Sequence, residues 1–284
     1  MSDAEGYARP RKLATALNLI QDPIVRVLAG GTDVYASLGD HNELKTVVDI
    51  TDISCLRNIN EDQDYVRIGA TATWSDIVDA KLPNSFDCLK LAALEVGGVQ
   101  IQNAGTIAGN ICNASPAADG VPPLLALNAK VELTSSTGSR VISLEKFIIG
   151  PRRTALISNE LVTAILIPKT STLGVSSFQK LGSRKYLVIS IAMVAVVMER
   201  GSDQSVKSAR VSVGSCSAVA ARLHDLEKDI VGKPLSSVGC RPLPPHLLAP
   251  LAPISDIRAS DRYRRVAAAE LVRRSVRDCA TRLQ

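Results

Sequence analysis

The chain has 284 residues, of which 46% are hydrophobic and 21% charged, with a formal net charge of +5. That length and balance suit one large or two ordinary globular domains and exclude a disordered, collagen-like or coiled-coil chain. So dilute a positive excess, with no long Lys/Arg run, argues against nucleic-acid binding and leaves an acidic partner surface open.

The first half alternates short helices and strands divided by glycine turns. LATALNLIQ (13–21) has helical spacing, IVRVLA (24–29) is a β-branched strand running into Gly30-Gly31, and TVVDI (46–50) and YVRIGA (65–70) are further strands. Thr73 to Asp76 forms a capping box that opens a helix running to about Leu82, and LKLAALEVG (89–97) is another helix closed by Gly97-Gly98. Asn103 to Asn110 reads as a loop, Pro116 to Leu127 as a buried helix, and 130–144 as a hairpin turning at Thr137-Gly138. ELVTAILIP (160–168) is a strand stopped by proline, and the turn-rich stretch from Lys169 to Ser177 marks a domain boundary. Beyond it SSFQKL, LVISIAMVAVVMER and SARVSVGSCSA are three β-rich runs of an antiparallel sheet. A helix with Gly232 at its C-cap follows, then the connector RPLPPHLLAPLAP and a last helix from about Ser260. The fold class is α+β, with domains at 1–172 (subdomains about 1–55 and 56–172) and 173–284.

Six scattered cysteines form no CxxC pair or Cys/His cluster, so neither zinc nor iron-sulfur has a local signature. The first residues lack an apolar signal core, and the longest apolar run, Leu187 to Met198, falls well short of the roughly 20 residues a bilayer needs. A cytoplasmic protein without a membrane span is expected. His41, His224 and His246 have no partner spacing and receive no catalytic role, and Trp74 reads as a core or cap-packing residue.

Two segments carry chemistry. In LAGGTD (28–33) a strand meets paired glycines, Thr32 and Asp33; such a turn lets backbone N–H groups approach an anion, although a plain turn is an equally simple reading. It matches neither GxGxxG nor the P-loop pattern. QIQNAGTIAGNICNASPAADGVPPLL (100–125) concentrates glycine and asparagine with no Lys, Arg or carboxylate before Asp119. Such a neutral, amide-rich stretch suits a large flat ligand bearing a pyrophosphate better than proton-transfer catalysis, the alternative being asparagines that bond their own backbone.

The pair AGGTD (29–33) and GTIAGNICNASPAAD (105–119), in that order, resembles the FAD-binding medium subunit of the molybdenum hydroxylases, the family of xanthine dehydrogenase and carbon-monoxide dehydrogenase. The likeness continues through GATATWSDI, FIIGPRRTAL, FQKLGSRK, RVSVGSCSA and SDRYRRVAAAELVRR, and so spans the whole chain. It implies a two-part FAD-binding domain of the PCMH type, followed by a C-terminal domain of antiparallel sheet plus helices. It further implies that Val27, Leu28, Ala29, Gly30, Gly31, Thr32, Asp33 and Val34 wrap the pyrophosphate and ribityl chain. Thr106, Ile107, Ala108, Gly109 and Asn110 would hold pyrophosphate and ring, with Asp119 on the adenosine side, Val162 against flavin or adenine, and Lys180 reaching the flavin. Relatives often carry an acidic or tyrosyl side chain close to the ring after an arginine; here Arg184 is followed by Lys185, Tyr186, Leu187 and Val188.

By the same resemblance FAD is bound non-covalently, while 2Fe-2S clusters and molybdopterin belong to a small and a large partner subunit in a dimer of heterotrimers. The chain would take electrons from the clusters and pass them to NAD or another acceptor. A non-redox scaffold or nucleotide-binding relative is the alternative, which would be colourless where a flavoprotein is yellow.

Overall fold

A computed structural model describes residues 6–34 and 46–284. Three sheets of three or more strands, one two-stranded pair and three apolar cores organise them. In the first sheet, β1 (Gly6–Ala8) and β2 (Val25–Leu28) flank β3 (Thr46–Asp49) in parallel, and α1 (Leu13–Leu19) lies on the crossover from β1 to β2 that such parallel strands require. Ala16, Leu17 and Ile20 of that helical turn meet Val48, Ile50, Ile53 and Leu56 in one core, which also takes Leu161 from the next sheet. β1 has only three residues, too few for any periodicity, and sequence reasoning passed over it.

The second sheet is antiparallel, in the order β4 (Ile59–Glu61), β5 (Tyr65–Gly69), β10 (Leu161–Pro168), β6 (Lys130–Ser135), β7 (Gly138–Ser143). Between β5 and β6 lie the helices α2 (Trp74–Asp79), α3 (Asp87–Glu95), α4 (Val99–Ala104), α5 (Ile107–Asn113) and α6 (Val121–Ala126). α7 (Leu144–Phe147) leads into the small β8–β9 pair (Ile148–Gly150, Arg153–Thr154). The Thr73 capping box forms as expected: its side chain accepts from Asp76 N while Asp76 accepts from Thr73 N. α2 nevertheless stops at Asp79, before the Leu82 expected, because the chain turns extended at Ala80.

The third sheet, β11 (Val175–Leu181), β12 (Ala192–Arg200), β13 (Val206–Gly214) and β14 (Ala221–Arg222), is antiparallel. Both faces of β12 are covered, which is why its sequence reads as an unbroken apolar run. Met193, Ala195 and Val197 join the core beneath α3 and α6; Ala192, Val194, Val196 and Met198 join the core formed with α8 (His224–Ile230) and α9 (Asp261–Leu283). α8 ends one residue before the Gly232 cap expected: Val231 is the C-cap, in extended backbone, and Gly232 follows at φ +81° with its N–H on Val206 O of β13. Two arginines tie this sheet to α6: Arg210 Nε donates to Ala126 O at 2.7 Å and Arg222 Nη1 to Leu125 O at 3.0 Å. Cationic groups on the last carbonyls of a helix satisfy orphan acceptors and complement its dipole. None of the described helices is long and apolar enough to cross a membrane.

Candidate functional site

β2 delivers the chain to Ala29–Asp33, and Gly31 takes φ +68°, a conformation that favours glycine. Gly30 is required for a different reason than approach to an anion. A Cβ there would lie 1.9 Å from Ala104 O and 2.9 Å from Gly105 Cα, so the first loop rests backbone against backbone on the second segment.

The second segment is not the open loop that its glycines and asparagines suggest. Residues 99–104 and 107–113 are helical, with Gly105-Thr106 as the joint. Thr106 caps α5 by accepting from Gly109 N at 3.1 Å, while Ile107 N and Ala108 N donate to Ala72 O and Ala70 O. The donors of this first turn are therefore occupied. A Cβ on Gly109 would sit 2.8 Å from the Thr106 hydroxyl oxygen and so disturb the cap. Thr106→Ala should lower stability by about 1 kcal/mol, read from the urea midpoint, in line with loss of a Thr N-cap.

Between the two segments lies a cleft of about 1000 Å³. Val27, Ala29, Gly30, Gly31, Thr32, Asp33 and Val34 line one side, Thr106, Ala108, Gly109 and Asn110 the other, and Val162 adds to the wall. Leu28, Ile107, Asp119 and Lys180 do not line it. Leu28 carries the strand ladder onward through Ile50 N, and Ile107 is wholly buried in the core. Lys180 Nζ donates to Asp119 Oδ2 at 2.8 Å and to Glu95 O at 3.0 Å, and Ser190 Oγ donates to Asp119 Oδ1 at 2.8 Å. This network joins the third sheet to the helical layer one residue behind Val96, itself a cleft residue. Burial pushes the Asp119 carboxyl above the usual aspartate range, with Lys180 and Ser190 drawing it back.

The structure adds residues that local sequence did not single out for the site. Ala70, Trp74, Val96, Ile101 and Gly105 complete the floor, and Arg152, Thr154, Leu156, Ile157, Ser158, Glu160 and Leu161 the far wall. The far wall carries no local motif; it runs from the β8–β9 pair into the start of β10, where Leu161 pairs with Thr134. Trp74 is buried, as its place behind a capping box suggests, yet it also reaches the cleft. Arg152 and Arg153 are exposed; Arg152 N donates to Ala114 O, and its guanidinium bonds Asn113 Oδ1. His224 lies 3.2 Å from Glu227 and 3.5 Å from Glu145, away from the cleft, whereas His41 falls outside the described residues.

The chemistry of the cleft is that of a binding site for a long anionic ligand with flat ends. The N–H groups of Gly30, Gly31, Thr32 and Asp33 have no hydrogen-bond partner among the described residues, a row of donors suited to a pyrophosphate. Asn110 Oδ1 is buried and equally unpartnered, an acceptor that a ligand N–H would satisfy. Val27, Val96, Ile101 and Val162 provide apolar surface for rings. The residues present thus fit FAD. The cleft's one cysteine, Cys112, is pushed up to about 12 by burial and so stays a thiol, unfit to attack a flavin.

Comparison with known proteins gives the same answer. The model of the FAD binding domain in molybdopterin dehydrogenase matches residues 2–170, and that of the CO dehydrogenase flavoprotein C-terminal domain matches residues 177–279. The xanthine dehydrogenase FAD-binding subunit of Escherichia coli O157:H7 is 32% identical over 269 residues, covering 93% of this chain and 92% of its own. The carbon monoxide dehydrogenase medium chain of Afipia carboxidovorans is 31% identical over 280 residues, covering 95% and 94%. Among solved structures, reconstituted CO dehydrogenase from Oligotropha carboxidovorans superposes with a TM-score of 0.87 at 27% identity over 99% of both chains. With two family models in tandem and relatives of this identity along nearly its full length, the chain belongs to the FAD-binding subunits of the molybdopterin dehydrogenases, the flavoprotein family of xanthine and carbon monoxide dehydrogenases.

Proposed function

We propose that this subunit is the electron exit of a cytoplasmic molybdenum hydroxylase, receiving electrons from 2Fe-2S clusters of a small partner and handing them to NAD or another acceptor. A large molybdopterin subunit oxidises the organic substrate, and two heterotrimers pair. The observation that carries the reading is the row of N–H groups at Gly30–Asp33, unpartnered among the described residues, on residues that line a cleft of about 1000 Å³. The designation of relatives as medium chain or medium subunit supports a three-part assembly. FAD supplies the redox chemistry, taking electrons singly and releasing them in pairs. This chain's task is to bind and orient it: Gly30 to Asp33 grip the pyrophosphate, Thr106 to Asn110 close the other side, and Val96 and Val162 shield the rings from water.

Tagging the subunit in its host and analysing what co-purifies tests the assignment. Iron, molybdenum and two further chains are expected; a complex without both metals would refute the electron route, and a colourless chain would favour the scaffold alternative. Since Cys112 is held as a thiol and no histidine among the described residues lines the cleft, acid precipitation should release all the flavin into the supernatant. Colour remaining in the washed pellet would mean a covalent bond.

A further inference from the structure

Trp74 is the single tryptophan of the chain, and its place against both ends of the second segment goes beyond filling a core. Its indole spans the second segment from end to end. At the five-membered ring, a Cβ on Gly105 would lie 3.3 Å from Cδ1 and 3.4 Å from Nε1; at the benzo edge, a Cβ on Gly120 would lie 2.4 Å from Cη2. Trp74 N donates to Gly105 O at 3.2 Å, and the bridge from Thr73 to Thr106 fixes the same joint from the neighbouring residue. Asn110 Oδ1, the unpartnered acceptor, lies 2.9 Å from the Gly120 Cβ position, beside the same benzo edge. Ala104-Gly105 in turn is the surface on which Gly30 rests. One rigid side chain therefore sets the height of Gly105, and through it the height of the first loop.

We infer that Trp74 is a positioning residue for FAD, a spacer whose full indole width sets the separation of Gly105 from Gly120, and with it the seat of the first loop and the aim of Asn110. The inference rests on the cleft being the FAD site. Phenylalanine keeps an aromatic ring but lacks the benzo reach toward Gly120. Trp74→Phe should let the segment settle, raising the FAD dissociation constant about tenfold or more, since an error of about 1 Å in a binding constellation costs up to 100-fold. Gly120→Ala should weaken FAD by pushing on the indole from the other end. In the double variant the added methyl takes the space the benzo ring leaves and keeps only its 2.9 Å approach to Asn110 Oδ1, so affinity should recover in part instead of falling by both amounts.

The experiment is a titration of each apo-protein with FAD, followed by flavin fluorescence and by visible circular dichroism of the bound ring, with melting temperatures of the apo-proteins measured alongside. Expected are a raised dissociation constant and an altered dichroic spectrum in each single variant, and partial recovery of both in the double variant. A packing role alone would lower the melting temperature and leave the dissociation constant and the dichroism unmoved, and that outcome overturns the inference. Should Trp74→Phe fail to fold, Gly120→Ala with the indole intact decides: an unchanged dissociation constant refutes the spacer. A wild-type protein that binds no FAD would instead overturn the reading of the cleft, and this inference with it.

Discussion

Gly30→Ala is expected to abolish useful FAD binding, lowering affinity on the order of 100-fold, because the new methyl has no room on the side away from the cofactor. The Cβ would fall 1.9 Å from Ala104 O and 2.7 Å from Ala104 C, main-chain atoms that cannot turn aside as a flexible side chain does. The loops must then move apart, taking the N–H row of Gly30–Asp33 away from Thr106 and Asn110. Overpacking of this kind also costs about 1–3 kcal/mol of stability. Gly6→Ala is the matched control, since nothing lies within 4 Å of its Cβ position. Flavin content per chain after gel filtration and the urea midpoint report the two effects. A yellow Gly30→Ala protein of normal flavin content would mean that the loops do not meet there.

The second large effect concerns the ion pair behind the cleft. Lys180→Met removes the cation 2.8 Å from Asp119, whose carboxylate is then buried without a counter-charge; breaking such a pair from one side costs about 3–5 kcal/mol. The pH dependence has a definite sign. Burial raises the Asp119 carboxyl in the folded chain, so the native state holds the proton more tightly than the unfolded one. The associated stability is complete below the ordinary aspartate pKa of about 4 and is lost as pH rises through the raised value. Without Lys180 that value climbs further. The variant should therefore lose more stability than wild type as the pH rises from about 4 toward neutrality. Replacing both partners, as Asp119→Leu with Lys180→Met, should recover most of the loss. Urea midpoints across that range check it, and a Lys180→Met curve parallel to wild type would show that the pair is electrostatically idle.

These two cases also mark what was readable from residues alone. The strand–Gly-Gly turn at 25–33 is local chemistry, and its φ +68° glycine follows from it. That Gly30 abuts Ala104 is a long-range fact with no local sign. At 103–110 the low helix propensity of glycine and asparagine pointed to a loop. Tertiary support overrode it, since the Thr106 cap and the carbonyls of Ala70 and Ala72 hold the first turn of α5. Asp119 stood out as the first charge of a neutral segment and Lys180 entered only through the family resemblance; nothing local marked them as each other's partners. The far wall, Arg152 to Leu161, is held by long-range contacts such as Arg152 N on Ala114 O and the pairing of Leu161 with Thr134, and sequence pattern has no access to them.

The central claim, that FAD lies between the two glycine segments, is tested most directly by hydrogen exchange of the apo-protein with and without FAD. Amides of Gly30, Gly31, Thr32 and Asp33 lack partners among the described residues and should exchange fast in the apo-protein. On saturation with FAD they should become strongly protected, with smaller gains at 105–113 and 152–162 and none at Gly232. FAD binding that leaves 29–33 exchanging as before, with protection elsewhere, would contradict the site.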